Sequence, residues 1–280
     1  MRTIVINSSN YLKNSGNRFI YNFPQTAAFS TGTGIGVAGI AVYNSFQNIN
    51  IARNNNTLVL NWLGTNYTFT IPPGYYSISD LNYFLQQQCV INGLYMTANN
   101  GSNNVYFAEI VINGVRYATS LNMYAIPTAA QATALGYSQP AYVTWAFPAT
   151  AQTPTLTFGQ QFGNLVGLTF GTYPPVAQAT NIQYLSTTTP VISPINSLIL
   201  CCNLVSSKYS IPNNVFYTIP ISSSIGSLIQ VNPSSVVYNG VIPQNFSTLE
   251  ITIFDQQFNA VQMIDTEFTL TLALTEPGEV

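Results

Sequence analysis

The stretches TLEITIF (Thr248–Phe254) and EFTLTLAL (Glu267–Leu274) decide the fold class. In the first, Leu249, Ile251 and Ile253 fall on one face, and Glu250, Thr252 and Phe254 on the other. In the second, Phe268, Leu270, Leu272 and Leu274 share a face, opposite Thr269, Thr271 and Ala273. A strict period of two marks half-buried antiparallel strands, and threonine suits the outer side of a pleated surface. The polar run around Asp255–Asn259 supplies a turn, so the two stretches read as a closing hairpin. Pro277 ends it, because proline cannot donate to a ladder.

Working outward, the same punctuation recurs. RFIYNFP (Arg18–Pro24) reads as a short strand closed by Pro24. Val37–Ile51 reads as one strand, broken or bent. Thr57–Trp62 and Tyr67–Ile71 form a hairpin around Leu63, Gly64 and Thr65. Beyond the turn Pro72-Pro73-Gly74, residues Ile78, Leu81, Phe84 and Leu85 take helical spacing, with Ser77 or Ser79 as cap and Asp80 in the first turn. This predicts a helix over Ser77–Cys89. Val105–Ser120 predicts a strand pair turning at Asn113-Gly114, and Thr128–Leu135 a short helix ended by Gly136. Residues 138–195, dense in Pro, Thr, Gln and Ala, read as loops and short strands. From Ser197 strands resume in SLILCCNLV, NVFYTIPI and GSLIQV. Short strands at regular spacing indicate a sandwich or barrel. No repeat of fixed period argues for a solenoid.

The 280 residues suffice for one large sandwich with insertions or two small domains. Only 5% are charged, against about 25% in an ordinary soluble domain. Aromatic and β-branched residues are abundant, which excludes a disordered chain. There is no apolar run long enough for a membrane helix and no h-region of a signal peptide. Arg2, Lys13, Arg18, Arg53, Arg116 and Lys208 are scattered and the net charge is −2, so no direct nucleic-acid binding is expected. A surface of amides and hydroxyls offers little electrostatic resistance to association, which points to faces covered by neighbours.

Histidine is absent, which excludes Ser-His-Asp and Cys-His catalysis and histidine metal sites. Cys89 stands alone. Cys201 and Cys202 are adjacent and would point to opposite faces of a strand, a spacing that fits buried thiols better than a metal motif. Asp265 and Glu267 could share a face as a glycosidase pair, but a solvated strand end explains them better. Glu109 and Arg116 could pair across the Asn113-Gly114 turn as a surface salt bridge. The glycine-rich run TGTGIGVAG (Thr31–Gly39) lacks the lysine and following helix of a phosphate loop and reads as a loop entering a strand. The sequons at Asn66 and Asn245 are of the kind an asparagine-rich chain contains by chance. No catalytic, cofactor or metal residue is assigned. One binding alternative remains: Trp62, Tyr75, Tyr76, Tyr142 and Trp145 could stack on sugar rings, or else serve a core or a subunit interface.

Three stretches together resemble the penton, or minor capsid, proteins of virophages, polinton-like viruses and related large DNA viruses. They are RFIYNFP (Arg18–Pro24), FTIPPGYYSISDLNYFLQ (Phe69–Gln86) and LEITIFDQQFNAVQMIDTEFTLTLAL (Leu249–Leu274). The resemblance implies an all-β chain with a single jelly-roll β-sandwich, eight strands in two facing four-stranded sheets. It also implies a homo-pentamer at icosahedral vertices, contacting neighbouring major capsid capsomers, in virions assembled in the host cytoplasm or viral factory. Residues 18–280 would form the jelly roll, with one short helix and an unmatched insertion around 120–195. Residues 1–17 would form an N-terminal arm reaching under a neighbour or to an internal protein, or else a disordered terminus. The alternatives are a major-capsid-type jelly roll and a glycan- or receptor-binding sandwich on a virion surface.

Overall fold

The computed structural model describes residues 2–7, 9–15, 17–98, 101–143, 145–265 and 267–278. They form two compact units, Met1–Gln47 with Ile195–Val280, and Asn48–Pro194.

The chain begins with β1 (Arg2–Ile6), β2 (Tyr11–Ser15), β3 (Arg18–Ala28) and β4 (Gly34–Tyr43). The second unit then contributes a 3-10 turn at Ile51–Arg53, β5 (Thr57–Trp62), β6 (Thr65–Thr70), α1 (Ile78–Ile91), β7 (Met96–Ala98), β8 (Asn103–Val105), β9 (Ala108–Asn113) and β10 (Ala118–Met123). It continues with α2 (Ala129–Leu135), β11 (Thr155–Phe158), α3 (Gln160–Val166), β12 (Gly171–Tyr173) and β13 (Ile182–Leu185). The first unit resumes with β14 (Ser197–Cys202), β15 (Val215–Pro220), β16 (Leu228–Val231), β17 (Asn239–Gly240), β18 (Asn245–Asp255) and β19 (Phe268–Thr275).

The first unit is a jelly roll, and its strand order proves it. One sheet runs β1-β19-β4-β16 and the other β15-β14-β18-β3, extended at its edge by β2. Number the eight main strands along the chain, leaving out the edge strand β2 and the two-residue β17. The sheets then read first-eighth-third-sixth and second-seventh-fourth-fifth, the double Greek key of a jelly roll. The inward faces meet in one core. Leu198, Leu200, Leu249, Ile251 and Ile253 come from one sheet, and Val42, Leu270 and Leu272 from the other. Phe19 and Phe268, one from each sheet, stack with centroids 4.8 Å apart. Each fully buried aliphatic or aromatic side chain contributes about 1.5–3 kcal/mol.

Several expectations change. The inward faces of β18 and β19 are those read from the alternation, but the two strands are not a hairpin. β18 pairs with β14 and β3, β19 with β1 and β4, so they lie in opposite sheets. Alternation assigns a face and leaves the partner open. Within residues 1–17, Ile4 and Ile6 place β1 as the first jelly-roll strand, with Arg2 opposite Leu274. Pro24 does not close β3. It lies where β3 bulges between Asn22 and Ala27, so its missing N–H costs no ladder bond. The single strand expected over Val37–Ile51 stops at Tyr43. Within β4 the register shifts opposite Thr271 and Leu272, which moves the buried positions from Ile35 and Val37 to Ile40 and Val42.

The glycines of Thr31–Gly39 let another segment approach β4. A Cβ on Gly36 would sit 2.4 Å from Val236 Cγ1 and 2.6 Å from the Val237 carbonyl oxygen. All three cysteines are buried free thiols; burial pushes Cys89 and Cys202 up to about 12.

The second unit is broader than the insertion expected around 120–195, since it begins at Asn48. The strands at 57–62 and 65–70 alternate like those of the sandwich, so periodicity alone assigned them to it. Its sheets are β12-β11-β5-β6, β13-β10-β9 and β7-β8. The β5–β6 turn puts Leu63 at φ 50° and Gly64 at φ 91°, the two positive values of a tight primed turn. Among the described residues it holds three helices, where the sequence predicts two and the resemblance one. α1 is capped by Ser77 with a reciprocal Asp80 bond, and buries Ile78, Leu81, Leu85 and Cys89. α2 is capped by Thr128 and ended by Gly136. α3 escapes sequence reading because Gly159 gives it no side-chain cap and Gly163 interrupts its short pattern. The Gly163 position is crowded by the Leu168 carbonyl oxygen, which only glycine accommodates.

Candidate functional site

Most of the described carboxylates are tied into local structure. Asp265 Oδ1 accepts the Glu267 N–H at 2.9 Å and the Glu267 side chain is exposed, so the pair closes a turn before β19. Asp255 is buried and accepts the N–H groups of Gln257 and Asn259, which shapes the polar turn after β18. Glu250 pairs with Arg18 between β18 and β3. Glu109 does not pair with Arg116: it stands opposite Asn122 in the ladder, and Tyr124 donates to its Oε2 at 2.9 Å, while Arg116 lies in the β9–β10 loop. Among the described residues no three His, Cys, Asp or Glu side chains cluster to hold a metal. No described helix is long and apolar enough to cross a membrane.

The five aromatics considered for stacking separate, all within the second unit. Trp62 is 2% exposed, packed edge-on against Phe107 and Trp145. Trp145 is tied down, its indole N–H donating to the Gly93 carbonyl at 2.7 Å. Tyr142 donates to the Val90 carbonyl and shares a 2.9 Å hydrogen bond with the Tyr95 hydroxyl. That bond, aided by burial, raises Tyr95 to about 12. These three are anchored to the unit's own frame.

Tyr75 and Tyr76 line an open cleft of about 470 Å³ together with Asp80, Tyr83, Phe84 and Gln87. The sequence builds it directly. Asp80, Tyr83 and Gln87 recur at helical spacing on the side of α1 turned away from its buried stripe, and Phe84 beside them is half-buried and packed against the core. The preceding turn presents the two tyrosines. Buried Asn48 holds this turn: its amide nitrogen donates to the Tyr76 carbonyl at 2.8 Å, and its Oδ1 accepts the Tyr76 N–H at 2.9 Å. The Tyr76 hydroxyl donates to the Pro72 carbonyl, and the Tyr75 hydroxyl bonds Ser193 Oγ at 3.1 Å. Asp80 Oδ2 accepts both Ser77 N–H and Ser77 Oγ–H, which holds the carboxyl below the usual carboxylate range. The sequence marks Tyr75, Tyr76 and Asp80 but not Tyr83 or Gln87, and it puts Phe84 on the inner face, where the half-buried ring does pack against the core while also lining the cleft. The i+3 and i+7 spacing from Asp80 was the signal.

Two further surfaces stand out. Tyr209 and Ile211, in the β14–β15 loop, are 98% and 95% exposed, and Val115 and Tyr117 project from the β9–β10 loop. A second open cleft, about 700 Å³, is lined by Ala134 and Leu135 of α2 with Ala151, Ala179 and Asn181.

No protein-family model and no curated protein matches the sequence. Among solved structures, the chain is similar to the mavirus penton protein, known from a crystal structure of its selenomethionine form. The TM-score is 0.39 and the identity 11%, over 98% of this chain and 99% of that one. The jelly-roll assignment rests on the strand order above.

Proposed function

We propose that this protein is a structural subunit of a viral capsid, a jelly roll that works by assembly and carries out no chemistry. The observation that carries this reading is the loop between β14 and β15. There Tyr209 and Ile211 stand almost wholly in water, two residues apart, at one end of the sandwich. Large apolar side chains so exposed, on a chain with six cationic and eight anionic residues, suit burial against another subunit. Amide and hydroxyl surfaces can be covered without the desolvation cost of buried charge. Jelly rolls are a recurrent capsid fold.

The finer reading is a homo-pentamer at the icosahedral vertices of a DNA virus or virophage, beside major capsid capsomers. Its support is the sequence resemblance of Arg18–Pro24, Phe69–Gln86 and Leu249–Leu274 to penton proteins. A fivefold ring needs a heterologous contact, one patch meeting a different one, and the projecting loop supplies one half of it. Light scattering and negative-stain microscopy test the reading. A ring of five is expected, converted to monomer by Tyr209→Asp with Ile211→Asp. A chain that stays monomeric at high concentration overturns it.

A further inference from the structure

We propose that the cleft beside the first turns of α1 binds a neutral pyranose ring, stacked on tyrosine and hydrogen-bonded by Asp80 and Gln87. Tyr83, 64% exposed, presents a ring to solvent, flanked by the half-buried rings of Tyr75, Tyr76 and Phe84. A pyranose has an apolar C–H face that lies against such rings and a rim of hydroxyls that does not. The rim needs hydrogen-bonding groups at the edge of the aromatic floor, and this cleft has them. Asp80 spends Oδ2 on Ser77, while no hydrogen bond from the described residues reaches Oδ1. Gln87 offers both an amide donor and a carbonyl acceptor. An ionised carboxylate only accepts, and charge-assisted bonds are the strong ones. Its partner must therefore carry several donors, which a sugar does.

The same reasoning rejects the competitors. A proline-rich peptide also docks on aromatic grooves, but it has few N–H groups to give a carboxylate. Nucleic acid and acidic sugars bring negative charge toward Asp80. The floor is also preorganised. Asn48 fixes the backbone of Tyr76, and the Tyr75 and Tyr76 hydroxyls are already bonded, so little side-chain freedom is lost on binding. The volume of about 470 Å³ lies within the range of small-ligand sites. All these residues belong to the second unit, so the site is built within one continuous segment of the chain.

Saturation-transfer NMR on the full chain tests this. The probes are methyl glycosides of glucose, galactose, mannose and N-acetylglucosamine, with N-acetylneuraminic acid and a proline decamer as counter-probes. At least one neutral glycoside should show transfer to its ring C–H protons. Tyr83→Ala should weaken it about tenfold, and Gln87→Ala measurably. Both side chains lie outside the buried face of α1, and an unchanged thermal transition of the tryptophan emission confirms that the unit stays folded. Absence of transfer from every neutral glycoside overturns the proposal, as does transfer indifferent to both substitutions. Preferential binding of the acidic sugar or the proline decamer through Tyr83 also overturns it. Oligomeric state is read separately, so a pentamer that ignores sugars sinks this inference alone.

Discussion

The two units solve the same problem, burying one face of each sheet, by opposite connectivity. In the jelly roll the main partners lie far apart in sequence: β1 pairs with β19, and β3 with β18. In the Asn48–Pro194 unit they are mostly neighbours, as in β5–β6, β7–β8, β9–β10 and β11–β12. The first unit is therefore a discontinuous structure that exists only when both chain ends arrive. The second is continuous, rich in local contacts, and equipped to fold as a segment. Composition divides along the same line. Six of the eight carboxylates belong to the first unit, and both tryptophans, Trp62 and Trp145, to the second. Tryptophan emission thus reports on the second unit alone.

That division makes the contrast breakable. Truncation after Glu267 removes β19, which lies between β1 and β4. The expected result is loss of the whole jelly roll, seen as collapse of its methyl dispersion by NMR, with the tryptophan transition retained. Next in size are two core truncations. Phe268→Ala removes half of the ring stack that bridges the sheets, and Phe162→Ala removes a fully buried ring from the second unit. Each should cost about 3–5 kcal/mol. Followed by denaturant, only Phe162→Ala should move the tryptophan transition. If Phe268→Ala moves it equally, the two units are one cooperative body and the contrast fails.

What was legible in the sequence follows the same division. Faces were readable wherever an alternation was long: Leu249, Ile251, Ile253, Phe268, Leu270 and Leu272 all point inward as expected. Partners were not, because nothing in a period of two says whether β18 meets β19 or β3. Helix ends were nearly readable, because caps act through bonds a few residues long: Gly136 ends α2 as expected, Ser77 is the cap of the two serines considered, and Thr128 caps α2 where the sequence places its first residue. The unit boundary at Asn48 was not, since the bonds that tie Asn48 into the second unit reach far along the chain. Asn48 is bonded to the distant Tyr76 and Ile192 carbonyls, and Asn55 to the Asn48 carbonyl. The aromatic cleft was half legible: Tyr75 and Tyr76 were found by residue type, whereas Tyr83 was marked only by its i+3 spacing from Asp80 on the side opposite the apolar stripe.

A smaller effect separates tight from open glycines. Gly36→Ala forces a methyl against Val236 and the Val237 carbonyl, and should cost the jelly roll about 1–3 kcal/mol. Gly114→Ala, in the second unit, meets nothing within 4 Å and has no positive φ. It should change stability by no more than about 0.5 kcal/mol. Chemical denaturation followed by far-UV dichroism for the first and by tryptophan emission for the second distinguishes them.

The smallest effect concerns acid. Between Asn48 and Pro194 only Asp80 and Glu109 are acidic, so the acid response of the tryptophan transition comes from very few groups. Asp80 is held below its ordinary 3.8, chiefly by the Ser77 hydroxyl and then by the Ser77 N–H. A carboxylate whose pKa is depressed by folding contributes stability above its unfolded value, and that contribution disappears as pH falls through the folded value. In a Glu109→Gln background, the tryptophan transition should therefore weaken only below about pH 4. Ser77→Ala should lower it by about 1 kcal/mol at neutral pH through loss of the cap. It should also flatten the acid slope, because the hydroxyl bond that depresses Asp80 is gone. An acid slope unaltered by Ser77→Ala would mean that the slope arises outside the α1 cap, and that the jelly roll's six carboxylates reach the second unit after all.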